Sequence, residues 1–90
     1  MPQAIVDPDE LRRFARNLKK FSSDVRNGIT ALGGQLAALG TTWRDQEQKR
    51  FVEQFEQHMK VINRFLEVTD QHVPCLLRKA ESIEEYLQQR

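Results

Sequence analysis

Apolar residues recur at helical spacing through the first part of the chain. One row, at seven-residue intervals, runs from Leu11 to Leu39, and further apolar residues interleave with it: Phe14, Phe21, Ile29 and Leu36. This periodicity predicts one long amphipathic helix. Asp7-Pro8-Asp9-Glu10 begins it with a capping acceptor, a proline at the first helical position and a glutamate suited to a capping box. We predict a helix over about residues 8–39.

A second apolar repeat fills the rest of the chain. Its two rows alternate three and four residues apart, as in a coiled-coil seam: Val52, Met59, Leu66, Val73, Ala80 and Leu87, with Phe55, Ile62, Thr69, Leu76 and Ile83. We predict a helix over about residues 45–88. Pro74 lies inside this helix, but the apolar phase is the same on both sides of it, so we expect a kink near Pro74 and not an end.

Residues 40–45 interrupt the two repeats and contain Trp43, the only tryptophan. A glycine, two threonines and an aspartate accompany it, which favours a bend with an aromatic anchor. The chain is therefore predicted to be all-α, a single domain of residues 1–90 folded as an antiparallel two-helix hairpin. Gly33 and Gly34 do not disturb the apolar phase of the first helix, so we expect close helix packing there; a helix break at this pair is the alternative.

The apolar stripe of the second helix is wider than one facing helix can cover. Phe51, Phe65 and Tyr86 flank one side of the seam, and Val61, Val68 and Cys75 flank the other. Two hairpins packed as a four-helix bundle would bury these flanks, so we predict dimerisation. The predicted interface with the dimer partner consists of Phe51, Phe55, Met59, Val61, Ile62, Phe65, Leu66 and Val68.

Charge does not point to a strong field around the molecule. The 90 residues carry a net charge of +1, with 30% charged residues and one cysteine, which excludes a disulfide scaffold and makes disorder improbable. A basic face is predicted on the first helix, formed by Arg12, Arg13, Arg16, Lys19, Lys20 and Arg26. Such a face is either solvated or a docking strip for an acidic partner or a phosphate backbone. Nucleic-acid binding through it is the alternative function, although no aromatic residue interleaves for base stacking.

Candidate chemistry is sparse. His72 and Cys75 are three residues apart, but a structural metal site needs about four ligands and Asp70 is the only acid nearby. The pairs Glu84-Glu85 and Glu53/Glu56 have the appearance of solvated helix surface. We therefore expect no enzyme activity, no cofactor, no metal and no small-molecule substrate.

The start of the chain lacks the features of a leader. Residues 1–6 have neither a basic stretch nor an apolar run of sufficient length, and no window approaches a membrane span. The protein is expected to be cytoplasmic, or to be exported without a cleavable signal peptide, and not to insert in a membrane.

A chain of about this length, with two long helices interrupted once near the middle at a tryptophan, resembles the WXG family, small helical hairpins that are substrates and partner proteins of type VII secretion. The bend motif is Trp43, Arg44 and Asp45, followed by Phe51 eight residues after the tryptophan. The resemblance implies a bacterial hairpin that forms a homodimer, or a heterodimer with a related hairpin, and that can present a helical surface to a larger protein.

Two positions depart from the family pattern. Asp45 stands where the family has glycine, and it could cap the second helix instead. The family's export signal pairs a tyrosine with an acidic residue four positions later, whereas Tyr86 is followed at that distance by Arg90. We interpret Tyr86 as a remnant of that signal. The hairpin, the bend residues and dimerisation are what the resemblance implies; export does not carry over with it.

Overall fold

In a computed structural model, which describes residues 6–89, two α-helices are joined by a short bend. Helix α1 spans Pro8–Leu39 and helix α2 spans Gln46–Gln88. The helices run antiparallel, because Arg12 near the start of α1 contacts Glu84 near the end of α2. The all-α hairpin predicted from the sequence is confirmed. Residues 1–5, on which the expected absence of a leader largely rests, and Arg90 lie outside the described residues.

Aspartates cap the starts of both helices. The Asp7 carboxylate accepts a hydrogen bond from the Asp9 amide at 2.9 Å, one residue earlier than a capping box with Glu10 requires. The Asp45 carboxylate accepts from the Gln48 amide, also at 2.9 Å. Each cap satisfies one amide that has no partner within its helix. The aspartate that departs from the family motif therefore begins α2.

The buried contact between the helices is narrow, and on α1 it is made of small side chains. The buried residues are Ala15 and Ser22 on α1 with Leu66, Thr69, Val73 and Ala80 on α2. Phe14 and Phe21 are 56% and 51% exposed, so the prediction that they belong to the inward stripe of α1 is wrong. In each case the next residue, Ala15 or Ser22, occupies the inward position. The small side chains of Ala15 and Ser22 allow α2 to approach α1 closely, which turns both phenylalanines to one side.

The glycines of α1 do not mark close packing. The helix runs unbroken through Gly33 and Gly34, so the alternative of a break there is also excluded. A Cβ atom added at Gly28, Gly33 or Gly34 would meet nothing within 4 Å. The expected close approach at Gly33 and Gly34 is therefore wrong, because α2 does not reach over these backbone positions.

The hairpin is a thin rod. Its principal extents are 68 × 20 × 16 Å, and its radius of gyration is 20.3 Å, against roughly 12 Å for a compact domain of this length. A rod exposes much of each helix, so the chain alone forms little interior. Within residues 6–89, neither helix is long and apolar enough to cross a membrane.

Candidate functional site

The two lateral sides of the hairpin differ in chemistry. Residues seven apart on a helix point in nearly the same direction, so each helix carries one row of side chains along either edge of the buried contact. In an antiparallel pair, the row one residue before the buried row of α1 and the row one residue before the buried row of α2 lie on the same side of the hairpin. The ion pairs Arg12–Glu84 and Arg26–Asp70 join the rows on one side, which we name the polar side.

On the polar side, Arg12 forms a two-pronged contact across the hairpin. Its Nη1 and Nη2 atoms donate to Glu84 at 3.1 and 3.0 Å, and Nη1 also donates to Asp9 at 3.3 Å. This arrangement raises the pKa of Arg12 and lowers the pKa of Glu84, chiefly through the hydrogen bonds between the two side chains. The expectation that Glu84 is a solvated charge without a partner is therefore wrong.

A second polar cluster joins the helices fourteen residues later along α1 and fourteen residues earlier along α2. The Ser22 hydroxyl, 1% exposed, donates to Asp70 Oδ1 at 2.7 Å, and Arg26 contacts both the Ser22 oxygen at 2.7 Å and Asp70 Oδ2 at 2.8 Å. The hydrogen bond from Ser22, followed by that from Arg26, lowers the pKa of Asp70. A polar group on the buried row is thus fully partnered, as a buried hydroxyl requires.

These contacts divide the predicted basic face. Arg12 and Arg26 bind carboxylates of α2, so the expectation of one outward strip of six cations is wrong. The reason is their position beside the buried row, where a long side chain reaches the other helix. Lys20 pairs with Asp24 at 2.9 Å within α1, and the others are exposed. A phosphate backbone would therefore meet fewer free cations than the sequence predicts, which weakens the nucleic-acid alternative.

The opposite side, which we name the apolar side, exposes large hydrophobic residues from both helices. Nine side chains are between 44% and 69% exposed: Phe14, Phe21, Leu32, Leu39, Phe51, Val61, Phe65, Val68 and Tyr86. The prediction that the two groups flank opposite sides of the seam is wrong. Val68 lies one helical turn after Phe65, so the row of Val61 and Val68 is next to the row of Phe51 and Phe65, and both groups belong to this side. Most of the uncovered apolar surface is thus gathered on one side of the hairpin.

The eight residues predicted as a partner interface fall into two groups. Phe51, Val61, Phe65 and Val68 lie on the apolar side. Phe55, Met59 and Ile62 are half-buried where α2 faces α1. Leu66 is fully buried within the single chain, so its assignment to the partner interface is wrong. It belongs to the row that packs directly against α1 and has no surface left for another molecule.

The bend brings its predicted residues together. The Trp43 ring lies 5.9 Å from the Phe51 ring, centre to centre, and Phe51 lies 6.2 Å from Phe55. Arg44 donates to the carbonyls of Gly40 and Thr41 at 3.2 and 2.8 Å, which partners two carbonyls at the end of α1. The indole is only half-buried, so Trp43 is not a core residue, and its role as an anchor of the bend remains a prediction.

The candidate chemical groups remain dispersed. His72 and Cys75 are exposed, and Arg78 Nη2 donates to Cys75 Sγ at 3.3 Å, a contact with no sequence signal other than the three-residue spacing. Across residues 6–89, no group of three or more His, Cys, Asp or Glu side chains is arranged to hold a metal ion. Among the described residues, the large exposed hydrophobic side chains are concentrated on the apolar side.

Comparison with known proteins agrees with this geometry. The chain resembles crystal structures of the secreted protein EsxB from Bacillus anthracis. A selenomethionine-labelled form has a TM-score of 0.80 and 23% identity, and the match covers 96% of this chain and 98% of that chain. A proline-to-alanine variant has a TM-score of 0.83 and 24% identity, and the match covers 94% of this chain and 96% of that chain. At these identities the likeness shows the fold. No curated protein matches significantly. The WXG100 family model, described as proteins of 100 residues with WXG, matches residues 3–86. The chain belongs to the WXG100 family.

Proposed function

We propose that the protein is a non-enzymatic interaction module of a secretion pathway, which pairs through its apolar side with itself or with a related hairpin. The pair would present a helical surface to a larger protein, either as an adaptor within the cell or as a secreted effector partner. The observation that carries this proposal is the amount of surface that one hairpin leaves uncovered.

The single chain exposes 7372 Å². A compact monomeric protein of 10.6 kDa exposes about 5,500 Å². The excess of about 1,900 Å² falls within the range that each partner of a permanent complex buries, roughly 1,000 to 2,500 Å². Because the apolar part of this surface is concentrated on one side, a single flat contact with a second hairpin would cover most of it. A four-helix bundle supplies that contact.

The secretion role is supported by family membership and by the likeness to EsxB, which is itself described as a secreted protein. Tyr86, the residue interpreted as a remnant of an export signal, lies near the end of α2 with 58% of its surface exposed. An exposed aromatic residue at this end is accessible to another protein. We propose export without a cleavable signal peptide.

The mass of the protein in solution tests the pairing. If the chain pairs with itself, sedimentation equilibrium at micromolar concentration should give twice the chain mass. If pairing requires a related hairpin, the chain alone should give the mass of one chain, and addition of that hairpin should give the mass of the pair. Phe21→Asp with Phe65→Asp should abolish pairing, since each places a charge on the apolar side. Gln57→Asp with Gln71→Asp is the matched control, with two charges on the outward face of α2. A stable monomer that no related hairpin captures would refute the proposal.

Export is tested separately in the native cell. The protein should appear in the culture medium, and Tyr86→Ala should reduce its amount there without reducing the amount inside the cell. Retention of the unmodified protein inside the cell would contradict export and leave the adaptor role. Export that is equal with and without Tyr86→Ala would show that Tyr86 is not part of the signal.

A further inference from the structure

Carboxylates are missing from one half of the surface of α2. The row on its apolar side consists of Phe51, His58, Phe65, His72, Lys79 and Tyr86, and the row beside it holds Gln54, Val61, Val68, Cys75 and Ser82. From residue 48 to residue 89 these two rows contain no acidic residue. The seven carboxylates of this part of α2 all lie on the polar side or point outward: Glu53, Glu56, Glu67, Asp70, Glu81, Glu84 and Glu85.

The same two rows do carry hydrogen-bond donors. His58 and His72 lie one heptad on either side of Phe65, and Lys79 lies one heptad beyond His72. All three are exposed, and none has an ion pair among the described residues. An imidazole in either protonation state has an N–H that can donate to a carboxylate, and an ammonium has three. A molecule that covers the apolar side must therefore satisfy the donors of these three side chains or leave them desolvated.

An identical copy of the chain is poorly equipped for this. Its carboxylates near the apolar side are Asp7, Glu10, Asp24 and Glu47, and Asp7 already accepts a hydrogen bond from the Asp9 amide as the cap of α1. Asp24 is already bonded to Lys20 at 2.9 Å. Glu10 and Glu47 lie in the first turns of α1 and α2, at opposite ends of the rod. An identical α2 would add a second set of the same donors, including a second Lys79.

We propose that the partner covering the apolar side is a related helical hairpin whose facing helices carry carboxylates opposite His58, His72 and Lys79, in preference to an identical copy. This inference rests on the proposed pairing through the apolar side and names the chemistry of the partner. Apolar contact supplies the affinity, while the charges select which hairpin binds, as charged groups at interfaces generally do.

The test uses a copy of this chain made acidic on the apolar side. The probe carries Gln35→Glu, Gln54→Glu and Ser82→Glu, three exposed positions on that side. The matched control carries Asn27→Asp, Gln57→Glu and Gln71→Glu, which add the same charge on the outward faces. Each is mixed with the unmodified chain, and the dissociation constants of the mixed and identical pairs are measured by fluorescence energy transfer between labelled N-termini.

The acidic probe should bind the unmodified chain about tenfold more tightly than the chain binds itself, the sum of three partly exposed contacts between a carboxylate and a donor side chain. The control copy should bind as the unmodified chain does. High salt should reduce the preference, and Lys79→Gln in the unmodified chain should reduce it further.

The inference is overturned if the acidic probe shows no preference, if the control gains equally, or if the identical pair is the tightest. Those results leave pairing itself intact. If no combination associates through the apolar side, the proposed function fails instead, so the two failures are distinguishable.

Discussion

At the scale of single residues, Trp43 contacts both helices without being a core residue. The half-buried indole contacts Phe51, and the backbone amide of Trp43 donates to the Leu39 carbonyl at 2.7 Å. Trp43 thus contacts the end of α1 through its backbone and the first turns of α2 through its ring. Only a part of its surface leaves water in the single chain.

We expect Trp43→Ala to lower the free energy of unfolding by about 1 to 2 kcal/mol, because a half-buried aromatic pair is lost. A fully buried tryptophan would cost about 3 to 5 kcal/mol. Urea unfolding followed by circular dichroism measures the difference, and Trp43→Phe should retain most of the stability. An unchanged unfolding curve for Trp43→Ala would show that the indole does not hold the bend.

Asp70 and Glu84 make stability depend on acid. Their pKa values are lowered in the folded chain, by Ser22 and Arg26 for Asp70 and by Arg12 for Glu84. A lowered pKa contributes stability that is present above the ordinary values of 3.8 and 4.5, and that is lost as the pH falls through the lowered values. The thermal midpoint should therefore decrease below about pH 4.5.

In Asp70→Asn with Glu84→Gln, the midpoint should be lower near neutral pH and should change less with acid. Glu85→Gln, one residue from Glu84 and exposed, is the matched control and should follow the unmodified chain. An acid response that is as steep in the double variant as in the unmodified chain would contradict this origin of the pH dependence.

The sequence could predict the residues of the bend, because the tryptophan, the capping aspartate and Phe51 are neighbours in the chain. It could not predict the partner of Arg12 or of Arg26. Those pairs join positions 72 and 44 residues apart, and they depend on how the two helices align, which no local pattern specifies. The burial of Ser22 could not be predicted either, because a polar residue on the buried row looks like an interruption of the apolar stripe.

At the scale of the helices, the exposed glycines inside α1 lower its stability relative to alanine. Gly34 is exposed, and an added Cβ atom would meet nothing within 4 Å. Gly34→Ala should raise the free energy of unfolding by about 0.8 to 1 kcal/mol, the difference in helix propensity. At Gly40 an added Cβ would lie 3.1 Å from the Ala37 carbonyl oxygen. Gly40→Ala should therefore gain less or lose stability.

Thermal or urea unfolding of the two variants measures this contrast. If Gly34→Ala destabilised the chain, the position would need glycine for a contact that the single hairpin does not make. A pairing assay on the same variant would then locate that contact.

Both helices could be predicted because a heptad repeat and its caps are local signals. The choice of the buried rows could not. Phe14 and Ala15 are adjacent, and so are Phe21 and Ser22. The hydrophobic pattern alone favours the phenylalanine of each pair for the inside. Packing against α2 favours the smaller residue. Helix α2 continues through Pro74, as expected, while a kink at that position remains a prediction.

At the scale of the whole molecule, adjacent residues of α2 serve different contacts. Leu66 is buried against α1, whereas Phe65 is 58% exposed on the apolar side. Leu66→Ala should lower the free energy of unfolding by about 2 to 4 kcal/mol at every protein concentration, because it leaves a cavity inside the hairpin. Phe65→Ala should cost little at low concentration and more as the concentration rises, because paired chains lose a contact between them.

Unfolding curves recorded over a hundredfold range of protein concentration, about the range in which mass action becomes visible, separate the two effects. A Phe65→Ala cost that is constant over this range would show that the chain does not pair with itself through this ring. A concentration dependence for Leu66→Ala equal to that for Phe65→Ala would mean that hairpin folding and pairing cannot be separated.

The narrow cross-section of the hairpin, 20 by 16 Å between backbone atoms, has a consequence for transport. Moving lengthwise, one folded hairpin fits a channel little wider than two helices side by side. A pair joined along the apolar side doubles the thinner dimension. A conduit that carries the pair intact must therefore open to about the width of a four-helix bundle, whereas a narrower one admits the protein only after its partner has been released.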